Sequence, residues 1–190
     1  MDVVLYNGEV DILDLRIEVL KSVVDEHWII ESNFTFTGRQ KPFVFEKQSQ
    51  LRQWPISKIR YFPYLSDPMR ISTDPWENEF AQRNYIRELV CFCNHDDLIL
   101  YSDVDEIPAP EALTLARQCN TSEYFGFEMS THYLKLNFRL VNPEVFALCV
   151  WTIGFFKDAL EQHSADELRM RIRDSSIGAR VLNKAGWHFS

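Results

Sequence analysis

Short continuous apolar runs alternate in the first hundred residues with longer stretches whose apolar positions recur at helical spacing. Val3-Val4-Leu5-Tyr6 ends at Asn7-Gly8, a turn signal, which predicts a buried strand over 3–6. Over 11–26, Leu13, Ile17, Leu20 and Val24 form a helical stripe widened by Ile12, Leu15, Val19 and Val23, with Asp11 and Asp14 favouring its N-terminal end. His27-Trp28-Ile29-Ile30 predicts a second strand running into Glu31-Ser32-Asn33, and 58–65 a third. In the segment 72–90, Asp74 is placed as N-cap, Pro75 at the first helical position and Glu77 three after the cap, the arrangement of a capping box. Phe80, Ile86, Leu89 and Val90 supply that helix's apolar side. A strand over 97–102, a short helix over 111–118 and an aromatic strand-like run over 124–140 follow. Beyond it the pattern weakens until Ala185-Gly186-Trp187-His188.

This order predicts an α/β fold with a mostly parallel sheet and helices on its faces, because strands buried on both sides read as unbroken apolar runs. Ligands of such sheets bind beyond the carboxyl ends of the strands. That rim collects Asn7 and Glu9 from the first strand, Glu31 to Asn33 from the second, and Asp103, Asp105 and Glu106 from the strand at 97–102. Three strands thus deliver polar clusters to one edge.

Composition narrows what the rim can hold. With 46% hydrophobic and 14% aromatic residues, the 190-residue chain can bury a sizeable core. A formal net charge of −8 argues against a nucleic-acid partner, which would want a basic face. No apolar run approaches the ~18–20 residues of a membrane span, and residues 1–10 carry Asp2 and Glu9 without the basic start of a signal peptide. Cys91, Cys93, Cys119 and Cys149 form no CxxC pair, so they are read as small buried thiols and leave the compartment undecided.

Asp103-Val104-Asp105 at a strand end places two carboxylates at a tight exit, a pattern able to hold a hard divalent cation, Mg²⁺ or Mn²⁺, that bridges an acidic protein to an acidic nucleotide. Turn or capping acids are the plain alternative. A haloacid-dehalogenase-type phosphatase also ends a strand in Asp-x-Asp. It does so on its first strand, with Thr or Val two residues later, where this chain has Ile107.

The stretch 96–108, DDLILYSDVDEIP, resembles the signature of glycosyltransferase family 17, the β-1,4-mannosyl-glycoprotein 4-β-N-acetylglucosaminyltransferase group. Residues 14–38, 76–84 and 186–190 resemble the same family in the same order. The resemblance implies an A-type glycosyltransferase with a Rossmann-like sheet, and an inverting transfer of N-acetylglucosamine from a UDP-sugar donor to a glycan acceptor. By the same resemblance Asp105 ligates Mn²⁺ or Mg²⁺, and Asp103 reaches the metal through water or contacts the donor ribose. The late histidine, His188, joins the metal shell. Arg83 and Asn84 face the donor, Arg83 binding diphosphate or pairing with an acid such as Asp103. By their position on the rim Asn7, Glu9, Glu31 and Asn33 are candidates to contact uracil and ribose, although turn chemistry explains Asn7 equally well. Inversion requires a general base, for which Glu77, Glu79 and Glu106 are candidates, Glu77 being also explained as a cap. Members of the family continue beyond Gly186-Trp187-His188, so 1–190 is read as one glycosyltransferase domain incomplete at its C-terminal end. A non-catalytic relic that keeps the fold and nucleotide binding is the alternative.

Overall fold

The computed structural model describes residues 1–119, 123–132 and 150–189. Its elements begin with β1 (Asp2–Tyr6), α1 (Val10–Leu20), β2 (His27–Ser32), α2 (Phe45–Arg52) and β3 (Ile59–Tyr64). They continue with α3 (Pro75–Asn84), α4 (Ile86–Leu89), β4 (Ile99–Asp103), β5 (Glu106–Pro108) and α5 (Pro110–Arg117). β6 (Tyr124–Glu128), β7 (Ser130–His132), β8 (Val150–Phe155), α6 (Ala159–Gln162), α7 (Ala165–Arg173), β9 (Ala179–Leu182) and β10 (Gly186–Phe189) complete it.

Seven strands form one sheet in the order β3-β2-β1-β4-β8-β6-β9, with β5, β10 and β7 in a smaller one. β1 pairs in parallel with β2 and β4, β2 with β3 and β6 with β9, while β8 runs antiparallel to both its neighbours. The α/β, mostly parallel architecture expected from the apolar runs is therefore the one observed. Alternation along the strands sends Val3, Leu5, Trp28, Ile30, Ile99 and Tyr101 to one face, against Ile86 and Leu89 of α4 and Leu168 and Ile172 of α7. Val4, Tyr6 and Ile29 meet Leu13 and Ile17 of α1 and Phe45 of α2 on the other face, where Leu100 meets Leu20 and Leu113. Helices thus cover both faces, and burying each such side chain contributes roughly 1.5–3 kcal/mol.

Several expected elements differ in extent. The helix over 11–26 ends at Leu20, whose carbonyl accepts from both Val23 and Val24 (3.0 Å each) and closes the helix in a turn, although Val24 stays in the core. The helix over 72–90 begins as expected, with Asp74 accepting from Trp76 N (2.9 Å) and Pro75 in its first position. The capping box is not closed by Glu77, because the Asp74 N–H is taken by Ser72 Oγ (3.1 Å). The segment then divides into α3 and α4 at Tyr85. Pro108 ends β5, an edge strand of the small sheet, where a residue without an N–H is tolerated. The aromatic run breaks into β6 and β7; its part at 133–140 and Cys149 lie outside the described residues. Of the other cysteines only Cys93 is buried, Cys91 being exposed and Cys119 intermediate. α2, α6, α7, β8 and β9 had no expectation.

One ion pair is buried beneath the parallel core. Asp2 at the start of β1 accepts from Arg16 Nε (2.9 Å) and Nη2 (2.6 Å) and lies 2.8 Å from His27 Nδ1, all three side chains being buried. Burial pushes the Asp2 carboxyl up, but Arg16 and His27 outweigh it and hold the group well below the usual carboxylate range. A depressed folded-state pKa contributes stability that is present above the unfolded-state pKa and is lost as pH falls through the folded one. The expected result is that Asp2→Asn, which leaves the Arg16 charge without its partner, lowers unfolding free energy by roughly 3–5 kcal/mol at neutral pH. The gap to the parent protein should narrow as pH falls below about 4. Chemical denaturation from pH 7 to 2 measures both; a gap that stays constant would mean that Asp2 is not the group that titrates.

Candidate functional site

The parallel register decides which residues share the carboxyl edge. Tyr6 of β1 lies beside Glu31 of β2, and Leu5 beside Asp103 of β4. Gly8, with φ +104°, turns the chain after β1 and lets Glu9 Oε2 accept from Asn7 N (2.8 Å). Asn7, Glu9, Phe34, Phe36, Gln82, Asp103, Asp105 and Phe189 line a cleft of about 330 Å³ over this edge. Asn7, Glu9 and both aspartates are thus brought together around one opening.

β10 closes the side of the cleft. Its antiparallel pairing sets His188 opposite Glu106, and Phe189 N donates to Asp105 O (3.0 Å). Gly186 is required for this approach, because a Cβ there would lie 2.3 Å from the Ile107 carbonyl oxygen. The result brings His188 Nε2 to 3.5 Å from Asp105 Oδ2 at a carboxylate that is 30% exposed. Two groups at that separation can share one cation with bonds of about 2 Å each. Among the described residues no three His, Cys, Asp or Glu side chains form a ready metal centre. The fit is therefore to a cation that takes two protein ligands and fills its shell with water and phosphate oxygens, the usual habit of Mg²⁺ and open to an imidazole with Mn²⁺.

Asp103 is arranged differently. Arg83 Nη2 of α3 donates to its Oδ2 (3.2 Å) and lies 2.9 Å from its Oδ1, and Arg169 Nη1 of α7 donates to Oδ2 (3.3 Å). Burial raises the Asp103 pKa, but Arg169 and Arg83 outweigh it and keep the group below its ordinary value. Both arginine hydrogen bonds fall on the same carboxylate oxygen and would compete with a cation for it. Arg83 also holds Glu79 Oε1 (2.6 Å), and among the described residues its buried Nη1 has no hydrogen-bond partner, nor has the buried Asn84 Oδ1.

Two expected site residues are committed to the chain itself. Glu31 is fully buried and accepts from Val44 N (2.9 Å), Phe45 N (3.2 Å) and Tyr61 OH (2.9 Å), so it anchors the segment entering α2 instead of reaching uracil or ribose. Glu106 is only 1% exposed, is paired with Arg169 and accepts from Asp103 N (3.1 Å). Burial, with Asp103 adding to it, pushes its carboxyl up to about 7 against Arg169 and His188. A carboxyl so enclosed cannot take a proton from an acceptor hydroxyl; it braces the Asp-x-Asp turn.

Three residues at the site had no sequence expectation. Arg16 lies on the apolar stripe of α1 between Leu13 and Ile17, where a lone charge is itself a signal. Asp166 and Arg169 come from α7, whose start was legible in Ser164-Ala165-Asp166-Glu167: Ser164 Oγ accepts from Glu167 N (3.1 Å). Spaced three apart, they share the helix face toward Arg83 and Asp103, with Asp166 Oδ1 4.0 Å from Arg83 Nε. Asp166 remains 22% exposed, and burial raises its pKa against Arg83 and Arg169.

Comparison with known proteins gives a consistent picture. The family model described as Glycosyltransferase family 17 matches residues 1–190. Beta-1,4-mannosyl-glycoprotein 4-beta-N-acetylglucosaminyltransferases of Homo sapiens and Rattus norvegicus are each 29% identical over 130 residues, 65% of this chain and 24% of each relative. The Mus musculus protein is 28% identical over the same shares. The match thus spans about a quarter of the relatives' length. Two solved structures, an inositol-1-phosphate CTP transferase from T. maritima and the galactosyltransferase LgtC with donor and acceptor sugar analogs, are each 10% identical with a TM-score of 0.48. They cover 98% and 94% of this chain, and 87% and 66% of those chains.

Proposed function

This chain belongs to glycosyltransferase family 17, and from that premise we propose that it is an inverting glycosyltransferase moving N-acetylglucosamine from UDP-N-acetylglucosamine to a mannose of an N-glycan. The observation that carries the reading is the meeting of Asp105 and His188 at 3.5 Å beside the cleft lined by Asn7 and Glu9. The names of the relatives supply the sugar and the β-1,4-mannosyl acceptor. The phosphatase alternative loses its footing, since Asp-x-Asp lies at the end of β4 and not of the first strand.

Asp105 and His188 would hold Mn²⁺ or Mg²⁺. A cation there would neutralise the diphosphate of the leaving UDP. Asp103, fixed by Arg83 and Arg169, offers its remaining lone pairs to the donor ribose. Arg83 Nη1, which has no partner among the described residues, is a donor for a phosphate oxygen. Asn7 and Glu9 meet the nucleoside end. In the transfer the acceptor oxygen bonds to the anomeric carbon, and the bond from that carbon to the diphosphate oxygen breaks. The hydroxyl proton passes to a carboxylate. Glu79 is tied to Arg83 and Glu106 is enclosed, whereas Asp166 is open and has its pKa raised; Asp166 is the base this geometry favours.

The test is a donor assay on the purified chain with UDP-N-acetylglucosamine, a panel of mannose-terminated and branched N-glycans, and Mn²⁺ present or chelated. The expected outcome is release of UDP together with a glycan heavier by one N-acetylhexosamine, in the presence of metal only. Binding of UDP without turnover of any UDP-sugar would support the relic reading instead.

A further inference from the structure

Arg16 carries more than the ion pair with Asp2. It sits mid-helix in α1 and its side chain is wholly buried, a position where packing alone calls for an apolar residue. A guanidinium has five N–H donors in a fixed fork, and all five are used here. Nε and Nη2 hold the Asp2 carboxylate, and Nη2 also donates to Ser102 Oγ (2.7 Å). Nη1 donates to the backbone carbonyls of Asp103 (3.1 Å) and Glu106 (2.6 Å), with a longer contact to that of Val104 (3.4 Å).

Those carbonyls belong to the turn that presents Asp105. The pairing of β4 with β1 ends at Asp103 and that of β5 with β10 begins at Glu106, so no ladder fixes the peptide planes of Val104 and Asp105 between them. Three of the four carbonyls from 103 to 106 converge on Arg16, and the fourth, that of Asp105, accepts from Phe189 N on β10. Asp2, as the partner of Arg16, fixes the guanidinium to the first strand of the sheet. We propose that Arg16 is a positioning residue: from beneath, it sets the backbone of the Asp103–Glu106 turn so that the Asp105 carboxylate faces His188. The inference rests on the reading that Asp105 and His188 hold a divalent cation, and it extends that site to a residue of α1 that touches neither donor nor acceptor.

Arg16→Lys is the informative variant. Lysine keeps the charge for Asp2 but has three donors on one nitrogen and cannot also span Ser102 and the carbonyls. Leu20→Ala, on the same helix and in the core, serves as a control that destabilises without touching the turn. Two readouts are made on each folded protein: amide hydrogen exchange across 99–108, and Mn²⁺ titration with UDP present. In Arg16→Lys, exchange at 104–106 is expected to rise at least about tenfold and the Mn²⁺ Kd to rise about 10–100-fold, the range for a residue supporting a metal ligand. Affinity for UDP without metal should stay within about twofold, because Arg16 reaches no donor contact. Leu20→Ala should change neither the local exchange nor the Mn²⁺ Kd. Equal loosening in the two variants, or an unchanged turn in Arg16→Lys, would overturn the proposal and leave Arg16 a purely structural ion pair. If Arg16→Lys does not fold, Ser102→Ala removes one of its partners and is expected to loosen the same residues; an unchanged exchange rate there overturns the proposal equally. Should the parent protein itself bind UDP without metal dependence, the cation reading fails, while the exchange data still decide whether Arg16 holds the turn.

Discussion

Asp166→Asn is expected to lower sugar transfer by ~10²–10⁴-fold, the range for loss of a positioned general base, with donor binding little changed. The substitution keeps size and one hydrogen-bonding oxygen but removes the carboxylate that would accept the proton. Asp166 stands at the first turn of α7, 4.0 Å from the Arg83 guanidinium and partly exposed, so Asn fits without a change in packing. The raised pKa of Asp166 brings its basicity nearer to that needed at neutral pH. The measurement is a steady-state comparison with UDP-N-acetylglucosamine and glycan, alongside a UDP titration. The parallel variant Glu79→Gln should cost less in turnover, because Glu79 already shares its charge with Arg83. If Glu79→Gln is the more damaging of the two, the base has been misassigned.

Asp105→Ala should abolish the metal-dependent part of UDP affinity, a loss of about a hundredfold or more, since a cation held by two protein ligands cannot be retained by one. The fold should survive, because the Asp105 carboxylate is 30% exposed and the carbonyl at 105 stays bonded to Phe189 N. His188→Ala should weaken Mn²⁺ in the same direction while sparing UDP alone. Isothermal titrations of UDP with Mn²⁺ and with chelator separate the two contributions. UDP binding by Asp105→Ala at parent strength would remove the cation from this corner of the sheet. Asp103→Asn should behave differently from Asp105→Ala: it leaves Arg83 and Arg169 short of a counter-charge, and so should lower stability as well as binding.

β1, β2 and β4 were legible because each is a continuous apolar run, and local pattern suffices for that, whereas β3 is a half-buried edge strand interrupted by Arg60 and Pro63. Asp74 and Pro75 marked the start of α3 for the same reason: a cap is a local hydrogen bond. The cluster of acids after β4 was equally visible, as was the glycine that lets β10 approach β5.

What the acids do was decided elsewhere. Asp103, Glu106 and Glu31 look alike in sequence, each an acid following a buried strand. Asp103 is gripped by an arginine sixty-six positions later, Glu106 is sealed beneath the same arginine, and Glu31 turns inward to backbone N–H groups of the segment entering α2. Asp105, by contrast, faces a histidine on β10. The sequence by itself determined the parallel half of the sheet, the edge at which a ligand could sit and the acids available there, because hydrophobic periodicity and strand ends are properties of short stretches. The tertiary structure alone determined which carboxylate meets a histidine, which meets an arginine and which is buried. Pairing a charge depends on what lies within a few ångströms once α1, α3, α7 and β10 have packed, and separation along the chain carries no information about that distance.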